Sequence, residues 1–379
     1  MTWYDDNKHL FFKKYDDEVL IKEITNYRNG KSSRINKTLA HFFDYDMYSC
    51  KGGRGSKTPL EIIKDDEQIK DILDFTKTKP KFYTGTTEVS HVKSFLRNAG
   101  RKAQKVSNFP IQQATDLYKE YSNEGDTIYD PSCGFGSRMS ACILNGRTYV
   151  GTDPNFSLVK SLNMCLQFYK DNFMNVGESK IIPTGSEIYH EDLKDCIDFI
   201  FTSPPYFDLE IYGNDSGQSV IKFPRYEDWL KGYVEPTVKN CTKYLKKGKY
   251  IIINIKGSKK HDLFNDWKNI MSKYLTFIKI SSIEQSSKRQ YGDKHFTGVK
   301  TDFGLKEEAM VFMKEKEIPD QPTVLPKGKV VTEECPEGIA IPEESEKLIC
   351  ELCKVDYTGS TKEEHEQRPF HQRAVRDLE

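Results

Sequence analysis

From Pro110 to Lys314 the spacing of apolar residues alternates between helical and extended. Ile111, Ala114, Leu117, Tyr118 and Tyr121 recur at helical intervals, and residues 127–130 follow as a short strand. A glycine-rich turn then leads into a helix containing residues 139–144. Residues 149–153 read as a second strand and 157–169 as a helix, with a short strand expected near Ile181, ahead of Asp192. Residues 199–202 form a buried strand, 227–245 a helix and 249–255 an apolar strand, and 276–283 and 309–314 supply two more strands. This alternation predicts an α/β fold on a parallel, doubly wound, Rossmann-like sheet across residues 110–316. Residues 1–109 show no such rhythm. Tyr and Phe there are interleaved with charges, and a turn-rich stretch at 51–59 interrupts them, so they are expected to form an N-terminal accessory region. After Lys316, five prolines fall among glutamates over 317–346, the pattern of an extended acidic linker with little to bury. A small unit at 347–379 closes the chain.

Composition narrows the functional classes. The 379 residues suit about two domains plus a remainder. Lys+Arg and Asp+Glu are both 57, so the formal net charge is zero and bulk coating of nucleic acid is excluded; an anionic partner must meet a local patch. One such stretch holds Lys77, Lys79, Lys81, Lys93, Arg97, Arg101, Lys102 and Lys105 against Glu88 alone. It reads equally as a phosphate-attracting surface or a solvated helix face. No apolar run approaches the ~18 residues of a membrane span, and the N-terminus lacks the apolar core of a signal peptide. Six of the nine cysteines are scattered singly, which points to a reducing, cytoplasmic setting.

Two turns carry candidate chemistry. Asp130, Pro131, Ser132, Cys133, Gly134, Phe135 and Gly136 follow the first strand and open a helix, where an open α/β sheet binds ligands. Gly134 and Gly136 would let backbone approach a ligand that Cβ atoms would block, and the helix N-terminus offers free N–H groups. Asp153 ends the next strand, placed to accept hydrogen bonds from ribose hydroxyls, and Asp192 follows the third, placed for an adenine amine. Acids at three successive strand ends suit S-adenosylmethionine. The second turn is Thr202, Ser203, Pro204, Pro205 and Tyr206, directly after a buried strand. Its prolines stiffen the chain into one extended shape. Ser203 Oγ and the Pro204 carbonyl would accept N–H bonds from an exocyclic amine, and Tyr206 would stack on a base rotated out of its duplex.

With these residues in view, the chain resembles the S-adenosylmethionine-dependent DNA aminomethyltransferases, which make N6-methyladenine or N4-methylcytosine. The 130–136 turn looks like their motif I and Thr202–Tyr206 like their motif IV. The likeness covers about residues 110 to 315 and extends through Tyr212, Gly213, Tyr226 and Trp229. It implies a methyltransferase sheet, cofactor contacts at Asp130, Gly134, Gly136, Asp153 and Asp192, and catalysis at Ser203, Pro204, Pro205 and Tyr206. Double-stranded DNA with a flipped base is the implied partner, in a restriction-modification setting. Motif I precedes motif IV here, whereas many Ser-Pro-Pro-Tyr enzymes reverse them, so adenine and cytosine both stay open. Target recognition is left to the N-terminal region, the 207–225 loop, the 288–300 stretch or the tail. Carbon-5 cytosine methylation is disfavoured because no Pro-Cys dipeptide exists.

In the tail, Cys350, Cys353, His365 and His371 stand at a C-x2-C-x11-H-x5-H spacing, close to that of a small zinc-finger-like unit with a structural zinc. The glycine-rich 52–58 stretch is no phosphate loop, since Ser56 precedes Lys57 and no apolar strand leads into it. Two rival readings remain. One is an RNA N-methyltransferase with the same chemistry. The other is a catalytically silent nucleic-acid or protein adaptor, against which the full set of Asp130, Asp153 and Ser203–Tyr206 argues.

Overall fold

A computed structural model describes residues 2–51, 56–79, 85–98, 106–173, 177–208, 211–212, 217–255, 260–282 and 308–315. The chain divides into two units, Met1–Ile318 and Pro319–Glu379. The second lies outside the described residues, and with it most of the expected acidic linker, Cys350, Cys353, His365 and His371. Among the described residues, no group of three or more His, Cys, Asp or Glu side chains could hold a metal, and no helix is long and apolar enough to cross a membrane.

Six helices come first: α1 (Trp3–Phe11), α2 (Asp17–Arg28), α3 (Asn36–Tyr48), α4 (Pro59–Ile63), α5 (Asp66–Lys77) and α6 (Glu88–Asn98). They do two different jobs. Helices α1, α4, α5 and α6 enclose a small core of Phe11, Ile62, Ile63, Ile69, Ile72, Val89, Val92 and Leu96. Leu20, Ile24 and Tyr27 of α2 and Phe43 and Met47 of α3 instead join the main core under the sheet. The expected boundary near residue 110 is therefore no break in packing, because apolar residues from both sides of it share one interior. Within the basic stretch, Lys77 pairs with Asp74 at 2.9 Å, Lys79 sits over the Phe75 ring and Lys93 donates to the Leu10 carbonyl at 2.6 Å. These three cations are engaged within the N-terminal helices. Lys81, Arg101, Lys102 and Lys105 lie outside the described residues.

Helix α7 (Ile111–Tyr121) starts at Pro110, whose fixed φ suits the N-cap, and buries Ile111, Ala114, Leu117 and Tyr118. Then follow β1 (Thr127–Asp130), α8 (Ser137–Leu144), β2 (Thr148–Thr152), α9 (Phe156–Asn172), β3 (Lys180–Ile182), β4 (Ile197–Thr202), α10 (Ser219–Lys222), α11 (Tyr226–Trp229), α12 (Glu235–Tyr244), β5 (Leu245–Ile255), α13 (Leu263–Met271), β6 (Thr276–Ser282) and β7 (Glu308–Met313). The strand order is β3-β2-β1-β4-β5-β7-β6. The first five strands are parallel, but β7 runs antiparallel to both β5 and β6. The sheet is thus mixed, which corrects the expectation of a parallel one. Apolar alternation marks a strand and a burial face, and carries nothing about direction.

Alternation along the strands sends side chains to two cores. Phe199 and Phe201 of β4, Ile252 of β5 and Val311 of β7 face the layer of α2, α3, α7, α8 and α9. Ile200, Ile251, Ile253 and Phe312 face Trp229, Tyr233, Val238 and Trp267. Helices on both faces make the sheet doubly wound. The order runs outward from β1 to β3, then returns to place β4 beside β1. The carboxyl ends of β1 and β4 are therefore neighbours at the point of reversal, where a crevice opens in folds of this kind.

Candidate active site

A cavity of about 410 Å3 opens at that reversal point. Pro131, Ser132, Gly134 and Phe135 from the turn after β1 line it, as do Asp153, Pro154 and Asn155 after β2 and Gly185, Ser186 and Glu187 after β3. Ser203, Pro204, Pro205, Tyr206 and Phe207 after β4 complete the wall, with Asn254 from β5 and Tyr233 from the opposite core. The two turns singled out in the sequence thus face one space.

Asp130 is fully buried and does not line the cavity. Its Oδ2 accepts from Arg138 Nε at 2.8 Å and Tyr149 OH at 2.9 Å, and its Oδ1 accepts from the Ser132 amide at 3.1 Å. Arg138 is itself buried and also donates to the Ser132 carbonyl. The pair braces the turn, and the cavity is bordered here by Pro131, Ser132, Gly134, Phe135 and Arg138 rather than by Asp130, the expected contact. Gly136 departs from expectation for a related reason. Its φ is +73°, and a Cβ there would overlap the Phe43 ring. The missing side chain makes room for a core aromatic rather than a ligand. Gly134, at φ +58°, does border the cavity. Cys133 is buried and fills the space a Cβ on Gly151 would take, and burial pushes its thiol pKa well up.

Asp153, expected to accept from ribose hydroxyls, lines the cavity. It is half-buried in the wall, its Oδ1 accepts from the Asn155 amide at 3.0 Å, and its own amide donates to Ile182. Burial, with Asp130 nearby, pushes its pKa up to about 7, against the lowering effect of the Asn155 amide. Asp192, expected to meet an adenine amine, is placed elsewhere. It sits in a 3-10 turn at Glu191–Leu193, pairs with Lys180 at 2.6 Å on the surface and does not line the cavity. The loop between β3 and that turn contributes Ser186 and Glu187 instead, with Glu187 held by Lys222 at 2.6 Å.

The Ser203–Tyr206 loop leaves β4 at Thr202. Ser203 Oγ and Tyr206 OH lie 3.0 Å apart in a hydrogen bond, and Asn254 Nδ2 donates to Ser203 Oγ at 3.4 Å. The loop ends on Phe207, a non-glycine residue at φ +55°. Its buried ring packs among Tyr226, Trp229 and His261, which holds that uncommon backbone in place. Further along, Lys51 and Ile211 exchange backbone hydrogen bonds of 2.8 and 3.1 Å, so the N-terminal region clips the loop that presents Tyr212 to the cavity. Gly213 lies outside the described residues.

Several wall residues were not read from sequence. Tyr233 is carried on a π-helical turn, Leu230–Val234, between α11 and α12. Pro236 follows it and has no N–H to continue the ordinary ladder. Tyr233 OH lies 3.3 Å from Ser132 Oγ, tying this π-helical turn to the turn after β1. Gln218 accepts from the Tyr212 amide at 3.2 Å, while its Nε2 is buried without a partner among the described residues. Asn254 was legible as the one amide in an otherwise apolar run, Ile251 to Ile255.

The fold and site therefore define an α/β protein with one strand-end cavity bordered by a glycine turn, an acid and a proline-stiffened loop. Residues 197–370 match the N6/N4 family described as DNA methylase, which bears out the resemblance over this stretch. The match begins on β4, takes in Ser203–Tyr206 and leaves out the Asp130 turn. A 50-residue segment is 40% identical to the orphan methyltransferase M.BamHII of Bacillus amyloliquefaciens, covering 13% of this chain and 19% of that protein. Among solved structures, a TehB-like SAM-dependent methyltransferase from Corynebacterium glutamicum aligns at 16% identity and a TM-score of 0.37, over 54% of this chain and 88% of that one. A SAM-dependent O-methyltransferase from Thermotoga maritima aligns at 12% identity and a TM-score of 0.38, over 56% and 68%.

Proposed function

We propose that the protein is an S-adenosylmethionine-dependent DNA methyltransferase acting on the exocyclic amine of adenine or cytosine. The observation that carries this reading is the single cavity shared by the turn after β1, Asp153 and the Ser203–Tyr206 loop. The residues suit a nucleoside ligand. Asp153 is an acceptor for a diol, Pro154 and Leu158 offer apolar walls, and the Gly134 backbone borders the space without a side chain. When bound, the cofactor supplies an electrophilic methyl group. The chain's own contribution is positional. Asp153 would fix the ribose, and Ser203 Oγ with the Pro204 carbonyl would hold the amine by its N–H groups. Tyr206 would stack on a base turned out of duplex DNA, and the buried wall would exclude water.

The test is incorporation of labelled methyl from S-adenosylmethionine into unmethylated DNA and into RNA, with nucleosides identified by mass spectrometry. N6-methyladenine or N4-methylcytosine in DNA is the expected product. Methylation confined to RNA, or none with cofactor bound, would remove the reading. The finer tail assignment belongs to the same proposal: Cys350, Cys353, His365 and His371 hold one structural zinc. One equivalent of zinc per chain, lost on Cys350→Ser/Cys353→Ser, is expected by elemental analysis.

A further inference from the structure

Strand β5 is apolar from Ile251 to Ile253 and again at Ile255, yet Asn254 stands between them with 1% of its surface exposed. A buried amide in a sheet interior costs free energy unless its polar atoms are paired. One of them is: Nδ2 donates to Ser203 Oγ. Among the described residues Oδ1 has no hydrogen-bond partner. The pairing of Thr202 with Ile253 sets position 254 beside Ser203, and Asn254 lines the cavity. The structure therefore keeps a desolvated acceptor without a donor at the wall of the base site.

Ser203 makes that acceptor consequential. A hydroxyl has one donor and two acceptor lone pairs. The Asn254 amide fills one lone pair, and the contact with Tyr206 OH uses either the second or the proton. Ser203 can therefore accept at most one further N–H. When Tyr206 is the donor it accepts none, and one of the amine's two N–H groups is left over beside the one the Pro204 carbonyl would take.

We propose that Asn254 is a further substrate-binding residue of this site, its Oδ1 sharing with Ser203 Oγ the amine N–H that the Pro204 carbonyl does not take, while its Nδ2 orients Ser203. The inference rests on the methyltransferase reading and deepens it. An acceptor at this place selects an amine over a carbonyl oxygen, since a keto group would bring oxygen against oxygen. Bases with an amine at the reacting edge are admitted, and thymine or uracil is rejected by an unpaired acceptor as well as by shape.

The experiment compares the full chain with Asn254→Ala and Asn254→Asp, measuring S-adenosylmethionine affinity by calorimetry and methyl transfer to unmethylated DNA. Asn254→Ala is expected to bind cofactor like the parent and to lose roughly 10- to 100-fold in turnover, the worth of one buried hydrogen bond. Asn254→Asp keeps an acceptor in the same place but loses the Nδ2 donor to Ser203, and is expected to recover part of that loss. Full turnover in Asn254→Ala, or an Asp variant as impaired as the Ala one, overturns the inference. Where Asn254→Ala fails to fold, as absent cofactor binding would report, the Asp variant alone decides. A parent that methylates normally beside an unaffected variant sinks only this inference. A parent that binds cofactor and methylates no DNA amine sinks the reading beneath it as well.

Discussion

The phenyl ring of Phe43, on α3, fills the space in which Gly136 would carry a side chain. A residue of the N-terminal helices thus packs directly on the turn that borders the cavity. Asp46, one helical turn on, accepts from Ser157 Oγ at 3.0 Å and Ser161 Oγ at 2.6 Å, fastening the same helix to α9.

Gly136→Ala should therefore destabilise the protein by about 1–3 kcal/mol, through overlap with Phe43 and the left-handed backbone. Combining it with Phe43→Leu should cost less than the sum of the two single changes, by at least ~0.5 kcal/mol. Urea unfolding of the four proteins tests this. Strict additivity would mean that the contact does not govern the turn.

Asp130→Ala leaves Arg138 buried without its counter-charge. A stability loss of about 3–5 kcal/mol is expected. At temperatures where the variant stays folded, its cofactor affinity should fall far less than that of an Asp153 variant. A selective loss of binding without loss of stability would return Asp130 to the role of a ligand contact.

The raised pKa of Asp153 has a definite sign. The folded protein holds a proton that the unfolded chain releases between the ordinary carboxylate value and about 7, so this group's contribution to stability declines as pH rises through that window. Asp153→Asn should raise the melting temperature by a few degrees at pH 8 and leave it unchanged near pH 4. The ionised carboxylate is the better acceptor for a diol, so parent affinity for S-adenosylmethionine should strengthen from pH 6 to pH 8. The variant should bind weakly at both. Thermal melts and calorimetry at these pH values supply the comparison.

Lys180 and Asp192 form an exposed ion pair of the kind worth about 0–1 kcal/mol. Asp192→Asn should leave both stability and cofactor affinity nearly unchanged. A tenfold or greater fall in affinity, read by calorimetry, would show that Asp192 reaches the ligand after all.

Tyr206→Phe removes the hydrogen bond to Ser203 and keeps the ring. Turnover should fall by less than roughly tenfold, the scale of one exposed or half-buried hydrogen bond, whereas Tyr206→Ala should lose far more while still binding cofactor. Equal turnover in the two variants would argue against stacking as the role of the ring.

Periodicity was sufficient for most elements between residues 111 and 313. Helix α7 has the expected bounds, β1, β4 and β7 lie within two residues of theirs, and β5 begins four residues earlier than expected. Helix α13 went unread although Leu263, Trp267, Ile270 and Met271 stand at helical spacing, because nine residues make a short signal. The N-terminal helices escaped because their apolar stripes are narrow and interleaved with charge: α5 buries only Ile69, Ile72 and Thr76.

What the sequence determined by itself was local. It placed a glycine turn, an acid and a double proline at the ends of strands, because propensity and side-chain alternation act over a few neighbouring residues. Which of those ends meet was decided by the tertiary structure. The return of the chain from β3 to β4 sets Asp130 and Thr202 on adjacent strands. Packing then turned Asp130 inward to Arg138, gave the Gly136 space to Phe43 and left Asp192 on the surface. It also brought Asn254 beside Ser203. These outcomes depend on contacts between residues far apart in the chain, formed as the apolar faces of the sheet and helices leave water together. No window of neighbouring residues contains that information.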